Sequence, residues 1–355
     1  MEKALTLHDL NLSILVILIL VFVFILGLLI YSFREYKLEA NRQQWKNKLD
    51  SFLMEAIVEN NITNIPLQED LVELSRYAGF RRFFLNQLIS SERKFSGVAS
   101  NVLQAVFHQY NLDEESIRLL NSSKAHLIAR GIQALTIMKV GTAYPTILKF
   151  QHHKNEQVLH EVQYAMVQFD GFNGLAFLNQ LQLKLSDWQQ LRILNSIKSY
   201  PQNSSEKLKE WLVSSNPSVI IFVLKMIRKF QIFELHPKLI EMLFLHRGRI
   251  QTEIIKTLFV IETDLTFNLL VSEFPKFTLK SQQEVIEGFG HNRAFDQLDF
   301  LKDQLLNHPN KQIKVFASEA LNNLGEVNYL IKLSDTLQQQ DPTVLVLNHA
   351  LQRKI

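Results

Sequence analysis

The N-terminal part of the chain carries one long apolar stretch. Residues Ile14 to Ile30 are apolar throughout apart from Gly27, and no charged side chain occurs between Leu10 and Phe33. An α-helix rises 1.5 Å per residue, so about 20 residues cross the roughly 30 Å hydrocarbon core of a bilayer. The pattern predicts a single transmembrane helix over about residues 14–33, preceded by a short tail.

A buried core helix and a cleaved signal peptide are the alternatives for this stretch. A core helix of a soluble protein keeps polar positions along one side, and this stretch has none. A signal peptide has an apolar region of about 7–15 residues that ends in small residues. Here the run is longer and leads into Tyr31, Ser32, Phe33 and Arg34. The sequence favours an uncleaved anchor.

Basic residues flank the two ends of the predicted span unequally. Lys3 precedes it, and five basic residues follow it: Arg34, Lys37, Arg42, Lys46 and Lys48. Because flanks rich in Lys and Arg stay in the cytoplasm, we predict a single-pass membrane protein whose large C-terminal part is cytoplasmic. Contact of these residues with anionic lipid is the alternative explanation for them.

Beyond the anchor, apolar residues recur with helical spacing. Arg34 to Glu59 continues without Gly or Pro, and the first break lies between Glu59 and Pro66. Further along, Ile313, Ala317 and Leu321 mark one helical face, and no stretch shows the sustained alternation of a strand. The pattern predicts an all-α fold.

These helices repeat at a nearly constant interval of 29 to 34 residues. A unit of about 30 residues with two helices cannot bury its apolar faces alone, whereas a stack of such units builds a continuous core. We therefore predict an α-solenoid. Nine equivalent positions are expected in its core: Val102, Ile132, Val162, Leu191, Ile221, Ile255, Val285, Ala317 and Leu347.

The clearest unit resembles the HEAT repeat, in the short form of about 30 residues found in many bacterial proteins. Residues 313–325 follow that family's order of an apolar–basic pair, Ala, Ala-Leu and Leu-Gly, and residues 248–258 are a weaker copy. The resemblance implies an armadillo-like superhelix that binds proteins. Most units lack the acidic inter-repeat residue of the family, so the resemblance concerns the fold more than any subfamily.

Together the patterns divide the chain into four predicted parts. Residues 1–33 form the tail and transmembrane helix, and residues 34–66 form a juxtamembrane helix and linker. Residues 67–94 form capping helices, and residues 95–355 form the HEAT-like solenoid.

Composition excludes several classes of protein. The 355-residue chain has no Cys, which excludes a disulfide scaffold, a thiolate metal site and a cysteine nucleophile. It is 47% hydrophobic, enough for a large core, and its net charge of +3 does not predict a polyanionic partner.

The sequence shows no clear catalytic, phosphate-binding or metal-binding motif. The Gly-rich residues 288–292 lack the Lys-Ser/Thr pair of a phosphate loop. His152, His153 and His160 cluster, but His153 and His160 are seven residues apart, wider than the usual spacing of zinc ligands. We predict no catalytic residue, no bound cofactor and no metal ligand, and hence no enzyme.

The expected function is a membrane-anchored scaffold or adaptor. Its expected partner is another membrane-associated protein, such as an envelope-synthesis enzyme or a signalling protein, and nucleic acid is not expected. Two alternatives use the concave face: an enzyme around the three histidines, or a repeat-type nucleic-acid binder. The basic spots of the chain argue against the latter, because they do not recur on one face of every unit: Arg81-Arg82, Arg228-Lys229 and Arg247 with Arg249.

Overall fold

The computed structural model describes residues 7–59, 65, 67–95, 97–202, 204–263, 265–338 and 342–352. Within these ranges the chain is all-helical and forms no strand, which confirms the predicted all-α class. The α-helices are α1 Leu7–Glu59, α2 Glu69–Leu74, α3 Ala78–Glu92, α4 Val98–Gln109, α5 Leu112–Leu120, α6 Ala125–Ile137, α7 Tyr144–Leu148, α8 Glu156–Asp170, α9 Asp187–Ser196, α10 Ser205–Leu212, α11 Pro217–Phe230, α12 His236–Leu245, α13 Gly248–Leu258, α14 Thr266–Glu273, α15 Leu279–His291, α16 Leu298–Asn307, α17 Lys311–Asn323, α18 Val327–Thr336 and α19 Pro342–Gln352. Short 3₁₀ helices lie at Gly141–Ala143, Gly171–Gln180, Phe233–Leu235, Phe274–Lys276 and Phe295–Gln297.

The chain forms two compact units, unit 1 at Met1–Ala165 and unit 2 at Met166–Ile355. This division falls within α8, whereas the sequence predicts one continuous solenoid from residue 95. Residues 1–6 of the predicted N-terminal tail lie outside the described residues. So does most of the predicted break after Glu59, at residues 60–64 and 66.

In unit 1, helix α1 runs without interruption from the apolar stretch to Glu59. Its last part is more than the juxtamembrane connection that the sequence predicts. Leu49, Phe52, Leu53 and Ala56 are at most 4% exposed, and α1 packs against α3 and α4. These four residues follow helical spacing, so one face of α1 enters the core of unit 1 while the apolar stretch does not.

Aromatic rings connect α1 with the rest of unit 1. Phe52 meets Tyr110 edge-on with ring centroids 5.8 Å apart, and Tyr110 in turn meets Phe84 at 5.1 Å. Nearer the apolar stretch of α1, Trp45 meets Phe80 at 5.5 Å. Edge-to-face pairs of this kind add about 0.5–1.5 kcal/mol beyond the area that they bury. The aromatic cluster therefore ties the long helix firmly to α3 and to the end of α4.

In unit 2, each odd-numbered helix packs against the next one. Contacts join α9 to α11, α11 to α13, α13 to α15, α15 to α17 and α17 to α19. The even-numbered helices α10, α12, α16 and α18 each pack against the odd-numbered helix that follows. The buried apolar residues of this unit form one core cluster that extends from Val167 to Leu347.

Local signals in the sequence set the helix starts of unit 2. A capping box begins α9: the Ser186 side chain accepts from the Gln189 N–H, and the Gln189 side chain accepts from the Ser186 N–H. At α11, the side chain of Asn216 caps the helix and Pro217 occupies the first turn.

Eight of the nine predicted core positions are at most 4% exposed. Leu191 is the exception and was assigned wrongly, because its side chain is 50% exposed. On α9 the buried positions are Gln190 and Ile193. The Gln190 side chain donates to the Leu185 carbonyl, so a polar residue occupies the inward position. Because Gln190 is polar, the apolar pattern places the buried position of α9 one residue too late, at Leu191.

Candidate functional site

The apolar part of α1 is the first candidate functional surface. It belongs to the one helix of the described residues that is long and apolar enough to cross a membrane. None of its most apolar window is buried, and its large apolar side chains from Leu12 to Phe33 are 47–69% exposed. No described part of the chain covers these side chains. Exposed apolar surface of this extent is typical of membrane or protein contact.

The predicted membrane-flanking basic residues all lie on α1: Arg34, Lys37, Arg42, Lys46 and Lys48. The side chain of Arg34 and the whole of Lys3 lie outside the described residues. Lys48 Nζ contacts Asp70 Oδ2 of α2 at 2.7 Å, and this hydrogen bond lowers the pKa of the Asp70 carboxyl. Arg42 contacts Glu39 one turn away at 3.5 Å. Both pairs are half exposed or more, so each contributes little stability.

The second candidate surface is a groove in unit 2 with a volume of about 1180 Å³. Its walls come from three places in the sequence: residues 179–185, the start of α11 at residues 214–218 and the start of α13 at residues 247–250. We call this cavity the α11 groove. Leu185, Ile221 and Ile250 form apolar parts of its lining.

Hydrogen bonds from α11 fix one wall of the α11 groove. The Asn216 Nδ2 group donates to the carbonyl oxygens of Leu181 and Leu183, both at 2.9 Å. Ser218 Oγ accepts from the N–H of Leu185 at 2.9 Å. The non-helical segment before α9 is thus held along the start of α11. The Asn and Ser that begin a helix here also position a neighbouring segment.

The charged residues that line the α11 groove are all cationic: Lys184, Arg247 and Arg249. At its edge, Asp187 Oδ1 accepts from Arg249 at 2.6 Å and from Lys225 at 3.2 Å. The hydrogen bond from Arg249, followed by that from Lys225, lowers the pKa of the Asp187 carboxyl. Lys184 and Arg247 have no carboxylate partner within the described ranges.

Ion pairs connect successive odd-numbered helices of unit 2. After the Lys225–Asp187 pair, Arg228 of α11 meets Glu253 of α13 at 2.7 Å, and Lys256 of α13 meets Glu284 of α15 at 3.3 Å. We call this series the inter-helix ladder. The inter-helix ladder places a carboxylate beside Lys225, Arg228 and Lys256, so these cations do not form a continuous basic stripe.

Glu284 makes the stability of unit 2 depend on pH. Its side chain is 19% exposed, and burial raises the pKa of its carboxyl, while nearby Lys256 opposes the shift. A raised pKa means that the folded state disfavours the carboxylate. The contribution of Glu284 is therefore most favourable below its ordinary pKa of 4.5 and is lost as pH rises through the folded-state value.

We expect Glu284→Gln to raise the unfolding midpoint at pH 7 and to have no effect near pH 4. The amide removes the cost of burying a charge, and Lys256 is 41% exposed and can be solvated without its partner. Denaturant titrations across this pH range measure the difference. Glu241→Gln is the matched control, because Glu241 is 63% exposed. A midpoint for Glu284→Gln that falls at pH 7 would contradict the assignment.

Of the three histidines singled out in the sequence, His152 and His153 precede α8 and His160 lies within it. The ring Nδ1 of His153 accepts from the N–H of Asn155 at 3.0 Å, an ordinary turn contact. No group of three or more His, Asp or Glu that could hold a metal ion occurs among the described residues. The Gly-rich residues 288–291 lie inside α15, where Gly288 and Gly290 pack against neighbouring side chains.

Sequence reasoning found parts of the α11 groove but not the groove. Arg247 and Arg249 stand out as a basic pair, and Asn216 followed by Pro217 is typical of a helix start. No motif around Lys184 in the sequence marks it as a binding residue. These positions span more than 60 residues, and only the stacking of α9, α11 and α13 brings them to one cavity.

Comparison with known proteins adds little. No protein-family model matches the sequence, and no curated protein matches it. Among solved structures, the chain is similar to an engineered protein from the Northeast Structural Genomics Consortium, with 15% identity over 79% of this chain and 87% of that chain. The TM-score is 0.34, which is too low to support any argument about the fold.

Proposed function

We propose that the protein is a membrane-anchored, non-enzymatic scaffold whose HEAT-like solenoid surface binds another protein. The observation that carries this proposal is the two-part character of α1. Its apolar stretch is uncovered on all sides, and Phe52 and its neighbours at the other end are buried in unit 1. One continuous helix thus joins the exposed apolar stretch to a folded core.

The helix packing of unit 2 supports the solenoid part of the proposal. Consecutive odd-numbered helices pack against one another, and α10, α12, α16 and α18 each pack against the odd-numbered helix that follows. Stacked helix pairs of this kind are typical of HEAT and armadillo repeats. A row of this kind presents an extended surface, and extended surfaces suit protein partners.

The inter-helix ladder favours a protein partner over nucleic acid. A nucleic-acid groove uses unpaired cations that recur along one face to neutralise phosphates. On this face, Lys225, Arg228 and Lys256 each have a carboxylate of the adjacent helix as partner. The Lys and Arg asymmetry around the span supports a cytoplasmic position for the part of the chain that follows residue 33.

Anchoring in a membrane lets a moderate affinity give substantial binding. A tether confines the search to the membrane plane and raises the effective concentration of a partner in the same membrane. We therefore propose that the partner is itself membrane-associated.

In-cell crosslinking followed by capture of the full-length protein tests this function. We expect a membrane protein to be recovered in near-stoichiometric amount. Two variants separate anchoring from recognition: one lacks residues 1–33, and one has residues 14–33 replaced by an unrelated apolar span of equal length. The partner should be lost with the first and kept with the second. Equal recovery with all three proteins, or none with any, would contradict the proposal.

A further inference from the structure

We propose that the α11 groove binds an extended, acidic segment of a partner protein. This inference rests on the proposed scaffold function and adds the site and the chemistry of the partner. Its basis is the juxtaposition of unpaired cations, free backbone donors and an apolar lining in one large cavity.

Charge is the first argument. The lining contributes Lys184, Arg247 and Arg249 and no Asp or Glu. In the described ranges, Lys184 and Arg247 are exposed and lack an acidic partner, unlike the cations of the inter-helix ladder. A ligand that carries carboxylates supplies the missing partners, and Arg binds a carboxylate with two parallel hydrogen bonds.

The backbone of the groove wall is the second argument. Asn216 donates to the carbonyl oxygens of Leu181 and Leu183. Both backbone groups of Leu185 are also bonded, the N–H to Ser218 and the carbonyl to Gln190. These bonds fix one side of the segment. The N–H groups of residues 182–184 donate to no group in the described part of the chain. An extended peptide that lies along this segment offers carbonyl oxygens to such donors, as in recognition by strand addition.

Size and lining favour a peptide over other anions. A volume of about 1180 Å³ exceeds the 300–1,000 Å³ of usual small-molecule pockets. Ile221 and Ile250 offer apolar contacts that a free phosphate or a sugar–phosphate backbone would not use. The lining has no aromatic side chain, so nucleic-acid bases would have no surface to stack on. The ligand therefore combines carboxylates with apolar side chains.

Asp187 acts as an internal competitor at the edge of this site. Its carboxylate is 62% exposed and occupies a donor of Arg249 that an incoming carboxylate would otherwise use. An acidic ligand replaces this contact or binds beside it. Removal of the Asp187 charge should therefore strengthen binding, an effect opposite to the loss expected from the cationic positions.

A library of random 12-residue peptides, selected on the full-length protein in lipid nanodiscs, tests the proposal. We expect enriched peptides to combine Asp or Glu with apolar residues. The double variant Lys184→Glu/Arg247→Glu should weaken their binding at least about tenfold, and Asp187→Asn should tighten it. The matched control is Lys280→Glu/Lys311→Glu, with the same change in charge at exposed positions elsewhere in unit 2. Its effect should stay under about twofold.

Several results would overturn the groove assignment. The first is that no peptide is enriched, or that the enriched peptides lack carboxylates. The second is an equal loss of binding in the groove and control variants. The third is that the groove binds a 20-nucleotide single-stranded DNA in place of peptides. Capture from cells separates this failure from failure of the scaffold. Suppose that Lys184→Glu/Arg247→Glu still captures a membrane partner and that the protein lacking residues 1–33 does not. The scaffold function then stands, and the groove assignment is wrong.

Discussion

Phe52→Ala is expected to destabilise unit 1 by about 3–5 kcal/mol, the usual cost of removing a fully buried phenylalanine. The side chain is 1% exposed and lies edge-on to Tyr110, at the centre of the contact between α1 and the end of α4. Its removal leaves a cavity and breaks the series of rings from Phe52 through Tyr110 to Phe84. The long helix then loses its firm attachment to unit 1.

Hydrogen–deuterium exchange of the full-length protein in detergent measures this effect locally. Peptides from α3 and α4 should exchange much faster in Phe52→Ala, while those from unit 2 should not change. Phe24→Ala is the matched control on the same helix, because Phe24 is 67% exposed and touches no core. If the two variants exchange alike in α3 and α4, the end of α1 does not belong to the core of unit 1.

Gly288→Ala is expected to destabilise unit 2 by about 2–3 kcal/mol through overpacking. A β-carbon at Gly288 would overlap the ring of Phe259. That ring cannot move aside easily, since it is 6% exposed and lies between Phe267 at 5.6 Å and Phe289 at 5.5 Å. The glycine allows α15 to approach the end of α13 closely enough to continue the row of odd-numbered helices.

Equilibrium unfolding in denaturant, followed by exchange at α13 and α15, checks this expectation. Gly141→Ala is the control, because no atom lies within 4 Å of a β-carbon there and its backbone is not left-handed. Gly290→Ala should have an intermediate effect, with its β-carbon 2.9 Å from the Ala320 Cα. Equal stability of Gly288→Ala and Gly141→Ala would show that the crossing of α13 and α15 adjusts without cost.

The all-helical class follows from the sequence because a spacing of 3.6 residues dominates the whole chain. Helix starts are equally local: the Ser186 box and the Asn216-Pro217 start depend on residues that are neighbours in sequence. The exposed position of Leu191 shows the limit of this reasoning. A buried Gln190, satisfied by the Leu185 carbonyl, is invisible to any search for apolar columns.

The candidate site could be predicted only in fragments. A hydrophobicity pattern identifies the apolar stretch of α1, but not that Leu49 and Phe52 further along the same helix enter a core. The cations of the α11 groove are 63 residues apart, from Lys184 to Arg247, and nothing local pairs them. Whether a lysine or arginine is paired depends on the register of the neighbouring helix. That register is set by packing.

The measurement that tests the central proposal most directly is the accessibility of a single cysteine in unit 2. The chain has no Cys, and Ser272→Cys places one at an exposed position outside the α11 groove. We predict that this variant remains in the membrane pellet after alkaline extraction. We also predict that a membrane-impermeant maleimide leaves it unlabelled in intact cells and labels it after permeabilisation. Release into the supernatant would contradict the anchor, and labelling of intact cells would contradict the cytoplasmic position of unit 2.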